Sequence, residues 1–212
     1  MKVTPDEPTT SPWTDQEGWS RGPDPSACGR SRAAKAAAPD QTSGAGGEID
    51  RPVVYLLVGL TGSGKTTYAT RRLEPAGVVR LSVDERLHAQ HGRYGVDYPE
   101  RDYLALEGPV VTEVPESLVG LIAAGRDVVL DHGLWLRSAR QEWKRLVEGA
   151  GGRWRLLYFP VPRTELLRRL ATRNRRADAN ALTVTESALN DFCARFEPSA
   201  GEGEEIIELG SF

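Results

Sequence analysis

The chain alternates short apolar runs with segments in which apolar residues recur every three or four positions. Short runs of aliphatic residues predict buried strands, and the wider spacing predicts helices with one buried face. The predicted strands are 53–58, 78–83, 127–131, 154–161 and 205–209, and the predicted helices are 66–73, 85–91 and 138–150, with two more beginning at 162 and 183. Strands that alternate with helices favour a parallel sheet covered on both faces. The pattern therefore predicts a three-layer α/β domain.

The helical pattern between residues 101 and 125 contains two prolines, Pro109 and Pro115. Proline lacks a backbone donor and clashes with the carbonyl four residues earlier in a helix. We therefore predict two separate helical pieces, the second with Leu118 and Ile122 on its buried face.

Residues 1–48 do not follow this pattern. They contain six prolines, six glycines and no leucine or phenylalanine, and Val3 is their only branched aliphatic residue. Such a segment buries too little apolar area to offset the entropy of ordering it. We predict a disordered tail at 1–48 followed by one domain at 49–212, which matches the size of a single core.

Charge and composition narrow the functional classes. The net charge is -3, and the tail accounts for it: residues 51–212 hold 22 basic and 22 acidic side chains. A neutral domain argues against a general nucleic-acid-binding surface. Two cysteines, no signal-peptide pattern and no apolar run of membrane-spanning length favour a soluble cytoplasmic protein without a membrane partner, and leave its oligomeric state open.

A phosphate-binding motif follows the first predicted strand. Its residues, which fit G-x-x-x-x-G-K-[ST], are Gly59, Leu60, Thr61, Gly62, Ser63, Gly64, Lys65 and Thr66, with Thr67 next in the following helix. The glycines allow successive backbone N–H groups to point into one concavity, and the helix that follows adds to the attraction for an anion. The dinucleotide-binding motif is excluded because Thr61 occupies a position where it requires glycine. A glycine-rich turn that binds nothing is the alternative, and the strand in front of the motif argues against it.

The motif also indicates its ligands. We expect Lys65 to reach the β and γ phosphates of ATP and the Thr66 hydroxyl to bind Mg2+. ATP and Mg2+ are therefore the predicted cofactors.

Two aspartates, Asp84 and Asp131, follow predicted strands and should face the phosphate loop. Transfer of a phosphoryl group to a hydroxyl needs a carboxylate that accepts the proton, and Mg2+ needs oxygen ligands. We assign Asp84 as the base and Asp131 to the magnesium site. The alternative for either residue is a helix N-cap. His132 follows Asp131 where many hydrolytic ATPases have a glutamate, which favours transfer over hydrolysis.

Arginines are concentrated between residues 163 and 176. Guanidinium groups on a mobile flap can neutralise the charge of a phosphoryl group in transfer. We predict this role for Arg173 and Arg176, and a solvated surface for Arg163 and Arg168.

Four segments, GLTGSGKTT, LSVDE, VVLDHGLW and LLRRLATRN, together resemble the P-loop kinases that include chloramphenicol phosphotransferase, zeta toxins and polynucleotide 5'-kinases, a group also described as AAA-family ATP-binding proteins. The resemblance covers about residues 53–198 and implies a P-loop kinase domain at 49–212. It also implies the role of base for Asp84 and of lid arginine for Arg173. Polynucleotide kinases tend to carry an arginine three residues after the base, where this chain has Leu87.

Three functions remain open from the sequence. The first is an ATP- and Mg2+-dependent kinase that phosphorylates a hydroxyl of a small molecule, such as an antibiotic or a sugar nucleotide. The second is a polynucleotide or nucleoside 5'-hydroxyl kinase, with nucleic acid as a disfavoured partner because of the neutral domain and Leu87. The third is an ATP-binding switch with little turnover.

Overall fold

Five strands join in one parallel sheet. The computed structural model describes residues 51–92, 97–99, 102–173 and 184–208, so the predicted tail at 1–48 lies outside the described residues. The described elements are β1 (Val53–Val58), α1 (Lys65–Tyr68), β2 (Val79–Ser82), α2 (Val83–His91), α3 (Tyr103–Ala123), β3 (Val128–Asp131), α4 (Arg137–Gly149), β4 (Arg153–Tyr158), α5 (Arg163–Arg173), α6 (Glu186–Arg195) and β5 (Glu204–Ile206). The strand order is β2-β3-β1-β4-β5, which confirms the predicted α/β sheet.

The apolar strand β1 lies at the centre of this sheet. Leu56 is opposite Leu130 of β3 on one side and Leu156 of β4 on the other, and all three are fully buried. Because every pair of strands is parallel, the loops that follow β1, β2 and β3 leave the sheet at the same edge. Ligands of open α/β sheets bind at that edge.

Helices cover both faces, as the pattern predicts. Side chains of α3 and α4 pack on one face, and those of α1 and the turns after it pack on the other. A third apolar cluster joins α5 and α6 to Leu60 of the glycine-rich loop. The phosphate loop is therefore packed between the sheet and α5.

The prediction of two helical pieces between residues 101 and 125 is wrong. Helix α3 runs without a break through Pro109 and Pro115. Its inner face consists of Val110, Val114, Leu118 and Ile122, which recur every four residues and are at most 4% exposed. Each buried aliphatic side chain stabilises by roughly 1.5–3 kcal/mol, whereas an interior proline costs about 3 kcal/mol. The packing of four such side chains therefore outweighs the two prolines.

The helix after the phosphate loop is less regular than predicted. After Tyr68 it widens into a π-helical turn at Ala69–Leu73 and ends in a 3-10 turn at Glu74–Ala76. Gly77, with φ of 88°, ends it at the predicted place, because glycine accepts this left-handed conformation without strain.

Candidate active site

The glycine-rich loop needs its glycines for space. A Cβ on Gly59 would lie 2.8 Å from Ser63 Oγ and 3.1 Å from the Phe159 carbonyl oxygen. Gly62 has φ of 79°, and a Cβ there would meet the side chain of Leu170 on α5 at 3.3 Å. Substitution at either position would open or distort the loop.

Lys65 lies across the mouth of this loop. Its Nζ donates to the carbonyl oxygens of Gly59 at 2.7 Å and Leu60 at 3.0 Å. Burial lowers the pKa of Lys65 to about 8, although the negative charges of Asp131 and Asp84 oppose this change. The ammonium group is therefore held at the loop with two carboxylates nearby.

Thr66 and Asp131 meet beside Lys65. The Thr66 hydroxyl donates to Asp131 Oδ1 at 3.2 Å, and Asp131 is only 5% exposed. Burial raises the pKa of Asp131, whereas the charge of Lys65 and the hydrogen bond from Thr66 lower it. Both predicted magnesium residues are thus brought together at the carboxyl edge of β3.

This pair suits Mg2+ in combination with a nucleotide. A hydroxyl and a carboxylate are hard oxygen donors, which Mg2+ prefers. Within the described residues, His, Cys, Asp and Glu form no group of three or more that could hold a metal. Mg2+ would therefore take most of its ligands from phosphate oxygens and water, as is usual where it binds with a nucleotide.

Asp84 lies in the first turn of a helix and not at the end of a strand. β2 ends at Ser82, whose hydroxyl accepts from the Glu85 N–H at 3.3 Å and so caps α2. The prediction placed the strand end one residue too late because it did not recognise this cap. Ser82, and not Asp84, is the N-cap, so the alternative role for Asp84 is excluded. Asp84 follows Ser82 by two residues, and Ser82 is opposite Asp131, so Asp84 lies at the edge of the sheet where β3 ends. Its negative charge opposes the lowering of the Lys65 pKa and adds to the raising of the Asp131 pKa.

Arg80 on β2 was not predicted as a site residue. Its guanidinium contacts three carboxylates: Nε lies 2.8 Å from Glu74 Oε1, Nη2 lies 2.6 Å from Glu85 Oε1, and Nη1 lies 3.1 Å from Asp131 Oδ2. The only signal in the sequence is a charged residue in the middle of a predicted buried strand.

One of the two predicted lid arginines, Arg173, lies at the end of α5. Arg173 is the last residue of the helix, and its positive charge contributes to the lowered pKa of Lys65. Arg176 lies outside the described residues. Arg169, whose spacing puts it on the same helix side as Arg173 but for which no role was predicted, donates from Nη1 to the Ser63 carbonyl oxygen at 3.2 Å.

The prediction of a solvated surface is correct for Arg168 and wrong for Arg163. The side chain of Arg168 is 70% exposed and pairs with Glu165 on its own helix. Arg163 instead donates to Asn190 Oδ1 at 2.8 Å and Glu186 Oε1 at 2.7 Å, which joins α5 to α6.

One family model and several solved structures are similar to this chain. The AAA domain family matches residues 54–199. No curated protein matches the chain. A protein from Chloroflexus aurantiacus named a "putative kinase" is similar with a TM-score of 0.57 and 13% identity, over 76% of this chain and 86% of that one.

A second solved structure, from the Pnkp1/Rnl/Hen1 RNA repair complex, has a TM-score of 0.56 and 22% identity. The match covers 73% of this chain and 50% of that one, so this chain spans about half the length of that relative. Identities this low indicate a shared fold only. The family match covers well over half of the sequence, and the chain therefore belongs to the AAA domain family, with the fold of the P-loop kinases.

Proposed function

We propose that this protein is an ATP- and Mg2+-dependent kinase that transfers the γ-phosphate to a hydroxyl group of a small molecule. The observation that carries the proposal is that Lys65, the Thr66–Asp131 pair and Asp84 all follow strands at the same edge of the sheet. Membership of the AAA domain family supports it.

Nucleotide binding is assigned to residues 59–67. The backbone N–H groups of the loop surround the phosphates, and Lys65 moves from its carbonyl partners to the β and γ phosphate oxygens. Thr66 and Asp131 would hold Mg2+, which supplies positive charge to the phosphate oxygens.

Asp84 is assigned as the general base. It accepts the proton of the acceptor hydroxyl as the new bond forms between that oxygen and the γ phosphorus. The bond from the γ phosphorus to the bridging oxygen breaks, and ADP leaves. Arg173, together with Arg176 beyond the end of α5, neutralises the charge on the phosphoryl group during transfer.

A small acceptor is favoured over a polynucleotide by the residues that follow the base. Leu87 is 2% exposed and belongs to the apolar core, so it cannot bind the phosphate of a nucleic-acid strand. Arg86, one residue earlier, donates to Ser117 Oγ of α3 at 3.2 Å. The equal numbers of acidic and basic residues in 51–212 also give no general attraction for polyanions. These features favour a small acceptor, such as an antibiotic or a sugar nucleotide, over a polynucleotide.

The test is a transfer assay with γ-labelled ATP, Mg2+ and a panel of acceptors that includes aminoglycoside-like and phenicol-like antibiotics, sugar nucleotides and a short single strand with a 5'-hydroxyl. The wild type should label one small acceptor. Asp84→Asn should bind ATP normally and lose about 10^2- to 10^4-fold in transfer, the usual contribution of a general base. Asp191→Asn, at an exposed position on α6, is the matched control and should transfer normally.

Other results would replace the proposal. Label on the strand alone would make the protein a polynucleotide kinase. Slow ADP release without transfer to any acceptor would indicate a nucleotide switch. Unchanged transfer in Asp84→Asn would contradict the assignment of the base.

A further inference from the structure

Arg80 binds three acidic side chains from different parts of the fold. Glu74 lies at the end of the helical segment that follows the phosphate loop, Glu85 in the first turn of α2, and Asp131 at the end of β3. The Arg80 side chain is 10% exposed. A guanidinium with three separate carboxylate partners has little freedom to rotate.

One of these partners belongs to the proposed magnesium site. Asp131 Oδ1 accepts from the Thr66 hydroxyl at 3.2 Å, and Asp131 Oδ2 accepts from Arg80 Nη1 at 3.1 Å. The sheet register explains the geometry, since Arg80 is opposite Val129 and Ser82 is opposite Asp131. Arg80 and Asp131 therefore lie on the same face of neighbouring strands, two positions apart. A carboxylate bonded through both oxygens is fixed in its plane.

We propose that Arg80 is a positioning residue for the magnesium site: it holds the Asp131 carboxylate in the orientation in which Asp131 and Thr66 act together on Mg2+·ATP. The inference rests on the proposed function, because it concerns the same site. Groups that orient a metal ligand typically contribute 10- to 100-fold to metal affinity or activity.

The charges around Arg80 decide whether its removal weakens or strengthens the binding of Mg2+. An arginine beside a dication would by itself repel it. Here the guanidinium also pairs with Glu74 and Glu85, whose negative charges offset its own, so its repulsion of Mg2+ is weak. We therefore expect the loss of Asp131 orientation to dominate, and removal of Arg80 should weaken the contribution of Mg2+ to ATP binding.

The test compares two dissociation constants for each variant, one for ATP in EDTA and one for ATP with Mg2+, both from titration calorimetry. Their ratio measures how much Mg2+ strengthens ATP binding. Arg80→Met should lower this ratio about 10-fold and leave ATP binding in EDTA within about twofold of the wild type. Arg80→Lys keeps the charge but lacks the planar donor group, and should lower the ratio by an intermediate amount.

Loss of the three ion pairs will also lower the melting temperature, but a purely structural role would leave the ratio unchanged. Arg155→Met is the matched control, because Arg155 of β4 pairs with Glu205 of β5 on the opposite side of the sheet. It should keep the wild-type ratio. In an Asp131→Asn background, Arg80→Met should lower the ratio no further.

Three outcomes overturn the inference. The first is a wild-type ratio, or a higher one, in both Arg80 variants. The second is an undiminished effect of Arg80→Met in the Asp131→Asn background. The third is the absence of any strengthening by Mg2+ in the wild type, which would overturn the proposed function as well.

Discussion

Two arginines, Arg80 near the β2 edge of the sheet and Arg140 near the β5 edge, both form ion pairs with carboxylates. Their partners differ in what they do. Arg140 of α4 is fully buried and binds both carboxylate oxygens of Glu202, at 2.9 and 2.6 Å. It also donates to the carbonyl oxygens of Leu134 and Trp135 at 3.0 Å each. Arg80 is partly exposed and shares a carboxylate with the proposed active site. The partners of Arg140 are all structural, whereas one partner of Arg80 belongs to the site.

The Arg140 cluster joins three segments. Lys144, one turn later in α4, donates to the Glu202 carbonyl oxygen at 2.6 Å and lies 4.3 Å from the centre of the Trp154 ring. Burial would raise the pKa of Glu202, but the hydrogen bonds and charge of Arg140, with the charge of Lys144, hold it below its ordinary value. The cluster thus fixes α4, the loop after β3 and the chain before β5.

The largest effect on stability should come from Arg140→Met. This change leaves the Glu202 carboxylate buried without its main partner, which typically costs about 3–5 kcal/mol. Urea denaturation should show a loss of that size. In the folded fraction of Arg140→Met, the factor by which Mg2+ strengthens ATP binding should equal that of the wild type, in contrast to Arg80→Met. A loss below about 1 kcal/mol would mean that Glu202 finds another partner.

A smaller, pH-dependent loss of stability should appear in Glu202→Gln, because glutamine keeps one side-chain oxygen that can accept from Arg140. A carboxyl group with a lowered pKa stabilises the fold above its unfolded value, about 4.5, and the contribution is lost as the pH falls through the folded value. The difference in unfolding free energy between wild type and Glu202→Gln should therefore be full at pH 7 and shrink below about pH 4. Denaturation at several pH values measures it. A constant difference would show that the charge of Glu202 is unimportant.

The smallest effect should come from Arg155→Met. Arg155 and Glu205 are 48% and 43% exposed, and exposed ion pairs contribute about 0–1 kcal/mol. The same denaturation assay should detect at most this loss, and added salt should reduce it further. A loss of unfolding free energy as large as that of Arg140→Met would show that burial does not decide how much an ion pair stabilises this fold.

The features predicted from the sequence are those that depend on residues close together in the chain. The phosphate loop was located from residues 53–67 because its strand, glycines and lysine are contiguous. Asp131 was located because a strand ends there. The strand before Asp84 was predicted to end one residue too late, because the Ser82 cap was not recognised.

The sequence could not predict the arginine clusters. Arg80 is 51 residues from Asp131, and Arg140 is 62 residues from Glu202, so no local pattern connects the partners. The prediction that α3 is interrupted was wrong for a related reason. Two prolines argue locally against a helix, whereas the packing that stabilises it involves strands distant in sequence.

The most direct test of the central claim is the affinity of Lys65→Ala for Mg2+·ATP, measured by titration calorimetry beside the wild type and Asp84→Asn. In the proposed mechanism, the loop and Lys65 bind the terminal phosphates, and Asp84 acts only on the acceptor. Loss of a hydrogen-bonded charge of this kind costs about 1.5–3 kcal/mol, so Lys65→Ala should bind at least 10-fold more weakly, and Asp84→Asn should bind like the wild type. Full affinity in Lys65→Ala would contradict the account.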